Sequence, residues 1–223
     1  MAEEATPSKA RVRVWDVPVR LGHWLMVLLF AVSWWTAESG RMEWHQYSGF
    51  ALFALVTFRV FWGLFGSSTA RFGQFVRGPR SIVSYLKGHW AATPGHNPLG
   101  ALSVVALLAL LLAQIVLGLF SVDVDGIESG PLSTYVSFEA GRVAAQWHDT
   151  VFDVLLWLIA LHVAAVLYYV LYRKENLIGA MLHGKRVHTE QLVPVAPVSK
   201  LRFILGVALA GALTFLVMRA FQF

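Results

Sequence analysis

The stretch Ala101–Phe120 reads ALSVVALLALLLAQIVLGLF, twenty residues without a single charge. A helix of that length rises about 30 Å, the thickness of a bilayer's hydrocarbon core. In lipid every backbone N–H and C=O must be satisfied inside the protein, and a lone apolar run does that only as a helix. Four further runs fit the same description: Leu21 to Ala37, Gln46 to Phe65, Thr150 to Tyr172 and Phe203 to Phe221. The charge-free run itself extends back to Leu99. An all-α membrane protein of five spans is expected. Composition agrees, since 57% of residues are hydrophobic and 14% are charged, against about 25% charged in soluble domains. The first run is short enough to resemble a signal-peptide core, but no small-residue cleavage site follows it and His23 stands near its start. No soluble domain and no solenoid repeat is legible.

Lys and Arg are unevenly spread over the connections. Lys9, Arg11, Arg13 and Arg20 precede or open the first span, and Arg71, Arg77, Arg80 and Lys87 follow the second. Arg173, Lys174, Lys185, Arg186, Lys200 and Arg202 lie between the fourth and fifth. The other side has Arg41, Arg142 and Arg219. The positive-inside rule then puts the N-terminus in the cytoplasm and the C-terminus outside. This bias accounts for the net charge of +5 without a nucleic-acid partner. The connection SVDVDGIESGPLSTYVSFEAGRVAAQWHD, on the outer side, is long and acidic and could carry a short surface helix. Two cytoplasmic pieces, Phe72 to Lys87 and Leu177 to His183, read as interfacial.

The chain has no cysteine and eight histidines. Disulfides, thiolate metal sites and covalently attached haem are excluded, so metal chemistry falls to His or carboxylates. Ionisable residues inside spans are costly and point to function. Four His qualify: His23, His45, His148 and His162. Each alone could simply hydrogen-bond a neighbouring helix, but together they make geometric sense. His148 and His162 are 14 residues apart on one helix, so they share a face and stand about 21 Å apart along its axis. His45 opens the second span at the outer level and His23 opens the first at the inner level. The expected pairs are therefore His45 with His148 and His23 with His162. Two imidazoles facing each other at one depth, twice, suit two six-coordinate haems, and neutral imidazole is a good iron ligand. With both axial positions taken, such iron changes oxidation state but offers no place for O₂ or substrate. Gly49 and small residues such as Ala31, Ala113 and Ala160 could leave room for a porphyrin, although helix packing uses the same residues.

Haem propionates want cations near the membrane surface. Arg20, one turn before His23, is the first choice, and Arg71 and Arg59 follow. The nine Trp mostly fall near the expected interfaces, where an aromatic belt accounts for them; Trp24 or Trp147 could wall a haem. His89, His183 and His188 read as solvated loop residues, whereas His96 sits in a motif.

Four stretches carry a family resemblance: VWDVPVRLGHW at 14–24, WHQYSGFALFALVTFRVFWGLFGSSTARFGQFVRGP at 44–79, GHNPLGALSVVALLALLLAQIVLGLF at 95–120 and WHDTVFDVLLWLIALHVAAVLYY at 147–169. Their combination resembles the bacterial cytochrome b561 family, including the b-type cytochrome subunit of membrane-bound nickel–iron hydrogenases. The resemblance implies a four-helix transmembrane bundle that binds two haem b, with ligation from His23, His45, His148 and His162. It implies quinone (ubiquinone or menaquinone) as a membrane partner. His96 and Asn97 lie in the family's GHNP segment, which could serve a propionate or a quinone. The expected division is an N-terminal arm at 1–13, the haem-binding bundle at 14–186, and a linker with an extra C-terminal helix at 187–223. That helix could pack on the bundle, recruit a partner or support a homodimer.

The expected function is electron transfer between an outer-face redox partner, such as a c-type cytochrome or a hydrogenase, and the quinone pool. Alternatives are superoxide oxidation coupled to quinone reduction, a hydrogenase membrane subunit, and, in a different class, a haem-free transporter or anchor.

Overall fold

The computed structural model describes residues 10–89, 95–188 and 199–220. Lys9, Trp90, most of the linker after the bundle and Phe221 lie outside the described residues. Five long helices carry the architecture: α1 (Val17–Glu38), α2 (Met42–Phe65), α5 (Pro98–Phe120), α6 (Phe138–Leu171) and α8 (Lys200–Ala220). All five are long and apolar enough to cross a membrane. Three short helices, α3 (Phe72–Phe75), α4 (Pro79–Leu86) and α7 (Leu177–His183), fill two connections. Two pieces that the sequence marks as interfacial are thus helical.

Local chemistry sets the helix starts earlier than hydropathy alone does. Asp16 caps α1 by accepting from the Val19 amide at 2.8 Å, with Pro18 in the first turn. Asn97 caps α5 by accepting from the Gly100 amide at 2.7 Å, just ahead of Pro98. Both follow the preference for Asx caps and early proline. The largest difference from expectation is α6, which begins at Phe138 rather than near Thr150. Ser137 caps it through the Ala140 amide. Residues 138–149 are polar enough to fall below a membrane threshold yet contain good helix formers, so the helix runs on past the apolar part of the span. The acidic connection is left with one 3₁₀ turn (Ser133–Tyr135) and a bridge between Val122 and Ser129.

α1 reverses into α2 within three residues, with Gly40 at φ +65°, a left-handed conformation that glycine adopts without strain. α1 packs along α2, α5 along α6, and α2 touches α5 and packs closely on α8. The first and third of the expected spans and the extra helix therefore pack on α2, while the fourth packs mainly on the third. Two end-to-end strands, β1 (Ala10–Arg13) and β2 (Lys185–His188), pair antiparallel. No strand was expected, since four-residue pieces are too short to show an alternating pattern.

Two clusters hold the core. Near mid-span Leu52, Val56 and Ile115 pack with Met26, Leu29 and Leu111. At the end where α1 begins and α2 finishes, hereafter the basic end, Val14, Trp15, Val19, Trp62, Ala70 and Ala180 form the second. Trp15 and Trp62 are therefore core. The Trp62 indole donates to Asp16 Oδ2 at 2.8 Å, which satisfies its one polar atom and ties α2 to the cap of α1.

Candidate functional site

His45 on α2 and His148 on α6 meet near the end opposite the basic one. Their ring centroids are 6.2 Å apart and their planes stand at 87°. Two imidazoles that grip one metal ion from opposite sides, with bonds of about 2 Å and ring radii of about 1.1 Å, have centroids about 6 Å apart. Both rings are also held by the same device. His45 Nδ1 lies 2.9 Å from the Ser33 carbonyl and 3.2 Å from its hydroxyl, and His148 Nδ1 lies 2.8 Å from the Gln114 carbonyl. A carbonyl only accepts, so each Nδ1 carries the proton and each Nε2 keeps its lone pair. A bond of this kind through Nδ1 orients a histidine whose Nε2 ligates a metal. Gly118, one turn after Gln114, lies under the His148 ring; a Cβ there would come within 2.8 Å of its Cε1.

His23 of α1 and His162 of α6 lie nearer the basic end. They lie within electrostatic reach of each other, and His162 Nδ1 is 3.4 Å from the Ser103 hydroxyl. Ser33, which meets His45, is ten residues beyond His23 on α1, about 15 Å by helix rise, so two separate depths are occupied. Between them Phe30 of α1 stacks on Phe152 of α6 at 6.0 Å, and Trp34 meets the same ring edge-on at 5.7 Å.

Among the described residues no group of three or more His, Asp or Glu side chains gathers to hold a metal. A facing pair of imidazoles leaves a metal's other positions to be supplied by something else, as the four nitrogens of a porphyrin supply them. The donor chemistry and the 6.2 Å spacing fit haem.

The remaining candidates sit at the basic end. Arg20 donates from Nη1 to the Leu182 carbonyl, which ties α1 to α7, and its Nε is buried with no partner. Arg71 precedes α3 and also keeps a buried, unpartnered Nε. His96 is sandwiched between the Trp15 and Phe75 rings, each at 4.6 Å. Burial, reinforced by Arg59 and His162, pushes its pKa down to about 3, so the imidazole is neutral. Asn97, besides capping α5, donates to the phenols of Tyr85 and Tyr169 at 3.0 and 2.9 Å, and the two phenols bond each other. Burial and that bond push Tyr85 up to about 12. This cluster pins the amphipathic α4 to α5 and α6. A groove of about 350 Å³ between α1, α2 and α8 is lined by Pro18, Trp62 and Phe203 among others, and by no histidine.

The cap residues of the imidazoles, Ser33 and Gln114, and the platform Gly118 were not singled out from the sequence. Their signal is weak there, because two of them act through backbone carbonyls that any residue carries.

A sequence profile of prokaryotic cytochrome b561 matches residues 14–184. The chain belongs to the prokaryotic cytochrome b561 family. This cytochrome is a b-type, haem-binding membrane protein of electron transfer. The match ends at Gly184, the left-handed residue that closes α7, so β2 and α8 lie beyond it. No curated protein and no solved structure matches the cytochrome.

Proposed function

We propose that this cytochrome holds two haem b, one between His45 and His148 and one between His23 and His162, and passes electrons between a redox partner on one face and the quinone pool. The observation that carries this reading is the perpendicular pair of imidazoles 6.2 Å apart, each with Nδ1 fixed by a main-chain carbonyl. When bound, haem iron with two imidazole ligands supplies one-electron chemistry and leaves no open position for a gas or substrate. The chain's own work is geometric. Ser33 and Gln114 fix tautomer and ring direction, Phe30 and Phe152 fill the space between the levels, and the apolar spans exclude water from it.

The Lys and Arg distribution supports a cytoplasmic basic end and a periplasmic acidic loop in a bacterial inner membrane. At the loop tip Val124 and Ile127 are exposed among Asp123, Asp125 and Glu128. An apolar pair with an acidic rim suits a basic redox partner. The family resemblance supports quinone as the other partner.

The test is a redox-titrated visible spectrum of the purified protein with haem quantification. Two low-spin haems per chain, titrating separately, are the expected result. One haem, or none, would refute the reading.

A further inference from the structure

α2 and α6 run in the same direction, and the His45–His148 contact sets their register. Fourteen residues beyond His148 stands His162, and fourteen beyond His45 stands Arg59. Both are about 21 Å nearer the basic end and close to the face of the first residue. Where α6 brings an imidazole to the second level, α2 brings a guanidinium. The electrostatic links agree, for Arg59 acts on His96 and His96 on His162.

Arg59 is 7% exposed. Its side chain runs toward the basic end, against the usual tilt of helical side chains, and reaches the turn after α2. There Nη1 lies 3.5 Å from the Ala70 carbonyl, the outer limit of a hydrogen bond. The Phe72 ring lies 5.2 Å from the guanidinium carbon, seated where a Cβ on Gly63 would come within 2.1 Å of it. A guanidinium has five N–H donors. Among the described residues no carboxylate comes within ion-pair distance of Arg59; Arg186 with Glu175 is the ion pair they form. Asp16 acts on Arg59 from farther off, and its two oxygens already serve the Val19 amide and the Trp62 indole. A buried charge so sparsely partnered in an apolar span is costly. Arg20, which keeps a buried Nε without a partner, gives its Nη1 to the Leu182 carbonyl in a closer contact than Arg59 makes with Ala70. A lipid phosphate is a poor match, since Ala70 and Phe72 stand over the group.

We propose that Arg59 pairs with a propionate of the haem held at the His23–His162 level, so that the missing counter-charge of this buried cation comes with the cofactor. The inference rests on the dihaem reading above and names a residue of that site.

Potentiometric titration of the holoprotein tests it. In Arg59→Gln one haem should become harder to reduce by at least tenfold in equilibrium, 59 mV for one electron, while the other stays put. Its potential should also acquire a pH dependence near neutrality, because a propionate that loses its cation titrates higher. Arg59→Lys should recover part of the shift. A second arm needs no variant: haem dimethyl ester, which has no free carboxylate, should bind the wild-type apoprotein at this level at least tenfold more weakly than haem. Unchanged potentials in Arg59→Gln with two haems bound, or equal binding of ester and haem, would overturn the proposal. A wild-type protein that lacks two haems is a different failure, seen before any variant is made, and removes the dihaem reading itself.

Discussion

α2 works on two sides, and the two are built differently. Toward α8 it presents Phe58, Phe61 and Trp62. Gly206 of α8 fits against them so closely that a Cβ there would lie 2.7 Å from Phe61 Cδ1, while Phe203 sets its edge on Phe58 and Trp62. Toward α1 and α6 the same helix presents His45 and Gly49, and a Cβ on Gly49, or on Gly22 beside His23, would meet nothing within 4 Å. The most apolar stretch of α2 is 39% buried, those of α1 and α6 only 6%. Small residues in a span thus have two uses that sequence does not separate. In one they let a helix close on aromatic rings; in the other they stand beside imidazoles and leave room. What marks the second kind is the polar device around it, Ser33 and the Gln114 carbonyl, rather than the glycine.

Four experiments break or sharpen this contrast. The largest effect is expected from His148→Ala, which should remove one of the two haems, read from haem-to-protein ratio, with α8 still docked; retention of both haems would place the ligands elsewhere. Next comes Gly118→Ala, whose new methyl group displaces the His148 ring. Disturbing a positioning contact of this kind typically costs 10–100-fold in metal affinity, measured here as release of one haem to a competing apoprotein. On the other side, Gly206→Ile should lower stability by about 1–3 kcal/mol through overpacking in detergent melts, with haem per folded chain unchanged; a parallel loss of haem would show that the two sides are coupled. The smallest effect at neutral pH concerns His96. The folded chain keeps it neutral down to about 3 and the unfolded chain protonates it near 6.5. The folded state therefore binds fewer protons, and stability present above pH 6.5 drains away as pH falls toward 3, by up to about 1.4 kcal/mol per pH unit. His96→Gln should flatten that slope in melts across this range, and Gly206→Ile should leave it unaltered.

Five spans and the four in-span histidines could be read from the chain because hydropathy and the 3.6-residue repeat act over long windows. Boundaries were harder. Phe138–Asp149 is helical for reasons of capping and propensity that a search for apolar length passes over. Proximity to a histidine along the chain places Arg59 below Arg20, although the spacing from His45 to Arg59 repeats that from His148 to His162. The sequence leaves the place of α8 open, because a small residue such as Gly206 does not say which surface it meets.

The ribbon of β1 and β2 has a consequence for insertion. Its strands are some 170–180 residues apart, so at about 5–20 residues per second the first waits roughly 10–35 s for the second to be made. They can join only if an even number of crossings separates them, since an odd number would strand them in different compartments. Of the helices between them four are long and apolar enough to cross, an even count. The pairing of residues 10–13 with 185–188 is thus compatible only with an even path of the chain between them.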